Sequence, residues 1–162
     1  MAEQLKQEYP DQDPQENPNS VWILVARENV AGMTADSLMS IKYDLNAHHI
    51  GLESGQARQA LVCAVNAAET FATLGEFDAA LDWSERALQM ARAKSWPGSI
   101  GVCLMQAGDV MRLLGRHSEA RAYLQEALVM MVGLSRSRNH ELVLGSLGQL
   151  ALDTQNNTEA LD

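Results

Sequence analysis

Beyond its first twenty residues this 162-residue chain has a single proline, Pro97. Proline breaks helices and central strands alike, so long stretches on both sides of it are free of the strongest interrupter. Only two cysteines are present, Cys63 and Cys103, which excludes a disulfide framework. Aromatics are just 5% of the residues, so a core must be built from aliphatic and small side chains. Bases are scarce: 12 Lys and Arg stand against 21 acids, for a net charge of −9. No sizeable Lys/Arg cluster exists to displace counterions from phosphates, which argues against a nucleic-acid partner. The same lack argues against docking on anionic lipid. The longest apolar runs, 21–26 and 127–132, are far too short to cross a bilayer, and no cationic segment precedes the first. A soluble, cytoplasmic protein without a membrane partner is expected.

Hydrophobic residues nevertheless reach 46%, enough for a packed core. With so few breakers the chain reads as all-α. Residues 1–20 are the exception: they hold Pro10, Pro14 and Pro18, and five acids against the one base Lys6. Such a segment buries too little apolar surface to offset its ordering entropy, so a disordered acidic tail is expected there.

The rest is organised by repetition. The string LGEFDAALDWSERALQM at 74–90 returns 40 residues later as LGRHSEARAYLQEALVM at 114–130. Between 61–90 and 101–130, nine of thirty positions are identical, where chance gives about two. A fixed period of this size marks stacked repeats, each a supersecondary unit that cannot bury its apolar face alone. The expected units are a degenerate helical pair at 21–56, repeats at 57–96 and 97–136, and an incomplete one at 137–162. In the first pair, a helix over 21–31 precedes one running to about Ile50, with Leu38, Ile41, Leu45 and His49 on one face. In each repeat a helix A (57–74, 99–114, 139–154) is followed by a helix B (77–93, 118–134, and a start at 157). Ser95–Gly98, SWPG, is expected to be a turn before the second helix A, Pro97 ending what precedes it and Gly98 freeing the backbone. Small residues at 68, 108 and 148 on helix A, and at 80, 120, 87 and 127 on helix B, let the helices cross closely. Cys63 and Cys103 lie 40 apart, on equivalent helices about 10 Å from each other by helix diameter. That is beyond disulfide reach, so two buried thiols are expected.

Groups for catalysis do not converge. His48 and His49 are adjacent and point to different helix faces, so they cannot share a metal. The run His140-Glu141-Leu142-Val143-Leu144 starts like a zinc-protease motif but has Leu where the second His belongs. Gly98-Ser99-Ile100-Gly101 and Gly145-Ser146-Leu147-Gly148 lack the lysine of a phosphate loop and read as a helix start or a close crossing. No enzyme activity, metal or cofactor is expected.

The pattern resembles the tetratricopeptide repeat. It rests on a small residue late in helix A (Ala68, Gly108, Gly148), a bulky one after it (Phe71, Met111), a turn glycine (Gly75, Gly115) and the helix-B alanines (Ala80/Ala87, Ala120/Ala127). His117 and Asn157 depart from the family's aromatic, and Gln155 replaces its glycine. The 40-residue period exceeds the usual 34 and is similar to repeats of bacterial signalling and regulatory proteins. The resemblance implies a right-handed superhelical solenoid of antiparallel helix hairpins, with helix A of each repeat lining a concave groove. Carried over, the groove residues are Val62, Val65, Glu69 and Ala72, then Val102, Met105, Asp109 and Arg112, then Leu142, Gly145, Gln149 and Leu152. This wall is apolar with acidic spots and lacks the basic set that clamps a C-terminal carboxylate. A protein or peptide partner is expected, an amphipathic helix with basic flanks fitting better than a chaperone tail. The chain then reads as the N-terminal regulatory or sensory region of a larger bacterial signalling protein, such as a diguanylate cyclase. The alternative is a stand-alone adaptor or small chaperone. The exposed terminal repeat also offers a homodimer contact.

Overall fold

The computed structural model describes residues 37–132 and 138–159, and every element in them is helical. The tail expected at 1–20, the helix expected at 21–31 and the last three residues lie outside the described residues. The elements are α1 (Ser37–Glu53), α2 (Ala57–Thr73), α3 (Phe77–Ala93), α4 (Pro97–Leu113), α5 (His117–Val132) and α6 (Arg138–Glu159).

Helices begin at residues 37, 57, 77, 97 and 117, so the 40-residue repeat is two 20-residue steps. Each step is a helix of about four and a half turns and a three-residue link. In each of the four described links the middle residue is left-handed: Gly55 (φ 75°), Gly75 (80°), Ser95 (52°) and Gly115 (73°). Side chains disfavour this conformation, which is why glycine holds three of the four places. It lets the chain double back while satisfying the last carbonyls. Gly75 N–H donates to Ala72 O at 3.1 Å and Glu76 N–H to Phe71 O at 3.0 Å. The same pair recurs from Ser95 to Arg92 and Trp96 to Ala91, and from Gly115 to Arg112 and Arg116 to Met111. These are paired helix-closing bonds. Trp96 and Arg116 then serve twice, since their carbonyls accept the first turn's N–H of Ile100 and Ala120.

The chain divides into two compact units, one ending at Glu76 and one beginning at Phe77. In the first, α1 packs on α2. Ala47, Ile50 and Cys63 form its core with Tyr43 against them. The helices come close near their link, where a Cβ on Gly51 would sit 3.1 Å from Ala60 Cβ. His48 Nδ1–H donates to Ala60 O at 2.8 Å, a carbonyl that can only accept. The face expected on α1 is corrected here: Ile41 is buried, but Leu38 is 75% exposed, Leu45 is half-buried and His49 is exposed. The buried residues are Ser40, Ile41, Asp44, Ala47, Ile50 and Gly51. Ser40, Asp44, Ala47 and Gly51 stand 40 before Ala80, Ser84, Ala87 and Ala91, which are also buried. Thus α1 follows the register of helix B. Its seam is made by small residues, whereas a search for large apolar ones finds the wrong stripe.

In the second unit α3 packs on α4, α4 on α5 and α5 on α6, and α6 also touches α4. Two glycines of α4 set the approach of α5. A Cβ on Gly101 would lie 2.8 Å from Met131 Cε, and one on Gly108 would lie 2.8 Å from Leu124 Cγ. Ala80 and Ala87 of α3 are buried as expected, together with Leu81, Ser84 and Leu88. Two boundaries differ from expectation. Pro97 and Gly98, expected in the turn, open α4, because the fixed φ of Pro97 suits the first helical position and its missing N–H is not needed there. At the other end α6 runs unbroken to Glu159, so no new helix begins at Asn157. Gln155 occupies the place of Gly75 and Gly115, and no glycine is there to take the left-handed φ. Both cysteines are buried, and they form no disulfide.

Leu at Gly108 is expected to destabilise the fold by about 1–3 kcal/mol through overpacking against Leu124. Ser95→Gly is expected to stabilise it by about 1 kcal/mol, relieving the one left-handed side chain among the described residues. Urea titrations followed by circular dichroism measure both.

Candidate functional site

The expected groove residues fall at helical spacing on three helices, and their exposure differs among them. On α2, Val62 and Glu69 are exposed while Val65 and Ala72 are half-buried. On α4, Val102, Met105, Asp109 and Arg112 are all half-buried. On α6, Leu142, Gly145, Gln149 and Leu152 are all exposed.

Within the second unit, α4 and α6 are joined by a polar clamp. Ser146 Oγ donates to Asp109 Oδ2 at 2.8 Å. Arg112 Nη1 donates to Asp153 Oδ2 at 2.6 Å, and its Nε lies 3.8 Å from Asp109 Oδ1. Gln149 Nε2 donates to the other oxygen of Asp153 at 3.2 Å. Asp109 meets Ser146 and Arg112 meets Asp153, so the two helices run parallel, as successive A helices must. Asp109 and Arg112 are thereby engaged with the neighbouring repeat. Gln149 is also tied in, though it stays exposed.

Ser146 and Asp153 were not among the expected groove residues. They sit seven apart and so share a face, one position round from Gly145 and Leu152. A sequence signal existed: two charges on one A helix call for polar partners at matching heights on the next.

Burial lifts the Asp109 carboxyl above the ordinary aspartate value, and the bonds from Ser146 and Arg112 offset this in part. Arg112, then Gln149, hold Asp153 below its ordinary value. Elsewhere burial pushes the Cys103 thiol up to about 11, which keeps it protonated and unreactive. Among the described residues no group of three His, Cys, Asp or Glu could hold a metal, and no helix is long and apolar enough to cross a membrane.

On α4 and its parallel neighbour α6, the N-terminal halves present Val102, Met105 and Leu142. The C-terminal halves present the clamp, where two carboxylates share one guanidinium.

The chain closely matches solved helical-repeat structures. RapI, in its apo form, superposes with a TM-score of 0.85 at 18% identity, over 99% of this chain and 58% of its own. The fold is all-α and tetratricopeptide-like. BtubC (BKLC) from P. vanneervenii gives 0.71 at 16% identity, over 94% of this chain and 61% of its own. Aspartyl phosphate phosphatase F from Bacillus subtilis gives 0.66 at 20%, over 86% and 34%. At such identities the likeness shows the fold alone. This tetratricopeptide-like chain spans 58%, 61% and 34% of those three lengths. No family model and no curated protein matches it.

The clamp predicts opposite pH responses at its two acids. Asp153 binds its proton more weakly folded than unfolded, so it contributes stability above the ordinary aspartate pKa that is lost as pH falls. Asp153→Asn should destabilise the fold at neutral pH, the deficit narrowing on acidification. Asp109 binds its proton more tightly when folded, so its ionisation costs stability as pH rises through the raised value. Asp109→Asn should match or exceed the native chain at neutral pH and lose that advantage in acid. Urea midpoints across the acid range read both.

Proposed function

We propose that the chain is a protein-interaction module that binds a peptide or helix along the A-helix wall. The observation that carries this reading is the half-buried pair Val102 and Met105 on α4 beside the exposed Leu142 of α6. Apolar side chains at this spacing, left accessible between two parallel helices, suit the i, i+3, i+4 anchors of an amphipathic helix. The clamp below them keeps one carboxylate in excess, and the whole chain carries −9. That charge favours a ligand with basic flanks and speeds its encounter. On the first unit, α2 offers Val62, Val65, Glu69 and Ala72 as the equivalent face.

A role as the regulatory region of a larger signalling protein is the more specific reading. It is supported by the length of the solved relatives, of which this chain spans at most 61%. One of them is named an aspartyl phosphate phosphatase, and RapI has been solved in a form called apo. Both names fit a fold that works by engaging other molecules.

Panning a helical peptide library against the full chain tests the reading. Enriched sequences should carry apolar residues at helical spacing flanked by Lys or Arg. Binding should fall about tenfold or more in Val102→Arg/Met105→Arg, a buried charge being costly at a contact. Undiminished binding to that folded variant would remove the A-helix wall from consideration.

A further inference from the structure

The clamp between α4 and α6 is one positive charge short, and the two carboxylates do not share Arg112 equally. Its Nη1 donates to Asp153 Oδ2 at 2.6 Å. Its Nε stands 3.8 Å from Asp109 Oδ1, too far for a hydrogen bond. Asp109 Oδ2 accepts from Ser146 Oγ, but among the described residues Oδ1 accepts no hydrogen bond. The Asp109 side chain is 34% exposed, and burial of the remainder lifts its pKa. The charges around it are Arg112 on its own helix, Asp153 of α6 across the guanidinium, and His117 of α5, which bears on Asp153. Among the described residues α3 contributes none.

Val102, Met105 and Asp109 fall at i, i+3 and i+7 on α4, so they form one stripe, and all three are half-buried. An unmet carboxylate oxygen at the end of an apolar stripe suits a cation carried on an apolar stem. Lys and Arg are such groups: their methylenes can lie along Met105 while the charged head reaches the oxygen. A bare metal ion is poorly served, since among the described residues no three His, Cys, Asp or Glu gather to hold one. Residues 1–36, outside the described residues, hold seven acids and two bases, so their charge opposes this position. Asp109 also lies inside the stack, facing Ser146 of α6, where a helix added on the far side of α6 does not reach it.

We propose that Asp109 is the specificity residue of the A-helix wall, pairing its Oδ1 with a lysine or arginine that a partner helix carries one turn beyond its apolar anchors. The inference rests on that wall being the docking face. The ligand's cation supplies the charge that the clamp lacks and leaves Arg112 with Asp153. A proton and the ligand's base compete for the same carboxylate, so binding is proton-linked. Affinity rises as pH rises through the lifted Asp109 value and falls in acid.

The probe is a labelled, end-blocked, alanine-rich helical peptide with two leucines one turn apart and a lysine one turn further on. It is titrated into the full chain by fluorescence polarisation. Saturable binding is expected at neutral pH. Asp109→Asn, which keeps the fold, should weaken it about fivefold or more, and so should replacing the peptide's lysine by glutamine. The two changes together should cost little more than either alone, because they remove one interaction. The acid loss of affinity should vanish in Asp109→Asn. Absence of saturable binding overturns the assignment, as do losses that simply multiply. Binding that needs Val102 and Met105 but ignores Asp109→Asn removes the assignment and leaves the wall. Binding indifferent to Val102→Arg/Met105→Arg removes both.

Discussion

The structure depends on one constraint of the backbone: a left-handed residue every twenty positions. With a three-residue link there is no room for a gradual bend. Within the units the reversal is made at Gly55, Ser95 and Gly115, and Gly75 takes the same left-handed conformation; the helix-closing hydrogen bonds form around that residue. Once reversal recurs at fixed spacing, helices of fixed length follow, and within each unit a helix meets its neighbour along one stripe. Small residues on that stripe then decide how near the backbones come. Gly101 and Gly108 on α4 are the closest cases, with Met131 and Leu124 occupying the space that a side chain would need.

This logic explains what could be read in advance. The glycines at 75 and 115 and the alanines at 80, 87, 120 and 127 are backbone and packing requirements. They therefore persist between repeats and reveal the period, the helix limits and the α-helical class. The face of α1 was missed for the same reason. Its seam uses Ser40, Asp44, Ala47 and Gly51, residues that carry no weight in a search for large apolar side chains. The SWPG turn was legible at 95–98, but Pro97, a stop for what precedes it by its chemistry alone, is by geometry also the start of α4.

The wall of A helices was legible as positions and less so as chemistry. Val102 and Met105 lie where the repeat places them. Asp109 and Arg112 do as well, but their charges are turned to the neighbouring repeat through Ser146 and Asp153. Such cross-helix pairing depends on the relative height and rotation of two elements, which a single helical stripe does not encode. Half-burial makes it consequential: desolvation raises one carboxyl while the shared guanidinium lowers the other.

The double duty of Trp96 and Arg116 has a further consequence. Each closes one helix with its N–H and opens the next with its carbonyl, so these links contain no slack. One added residue would turn everything downstream by about 100°, carrying the face of α4 away from α3 in the first case, or Ala120 and Leu124 away from α4 in the second. A chain built this way tolerates substitution far better than insertion. It is free to lengthen only by whole helices, so its natural unit of change is the twenty-residue step.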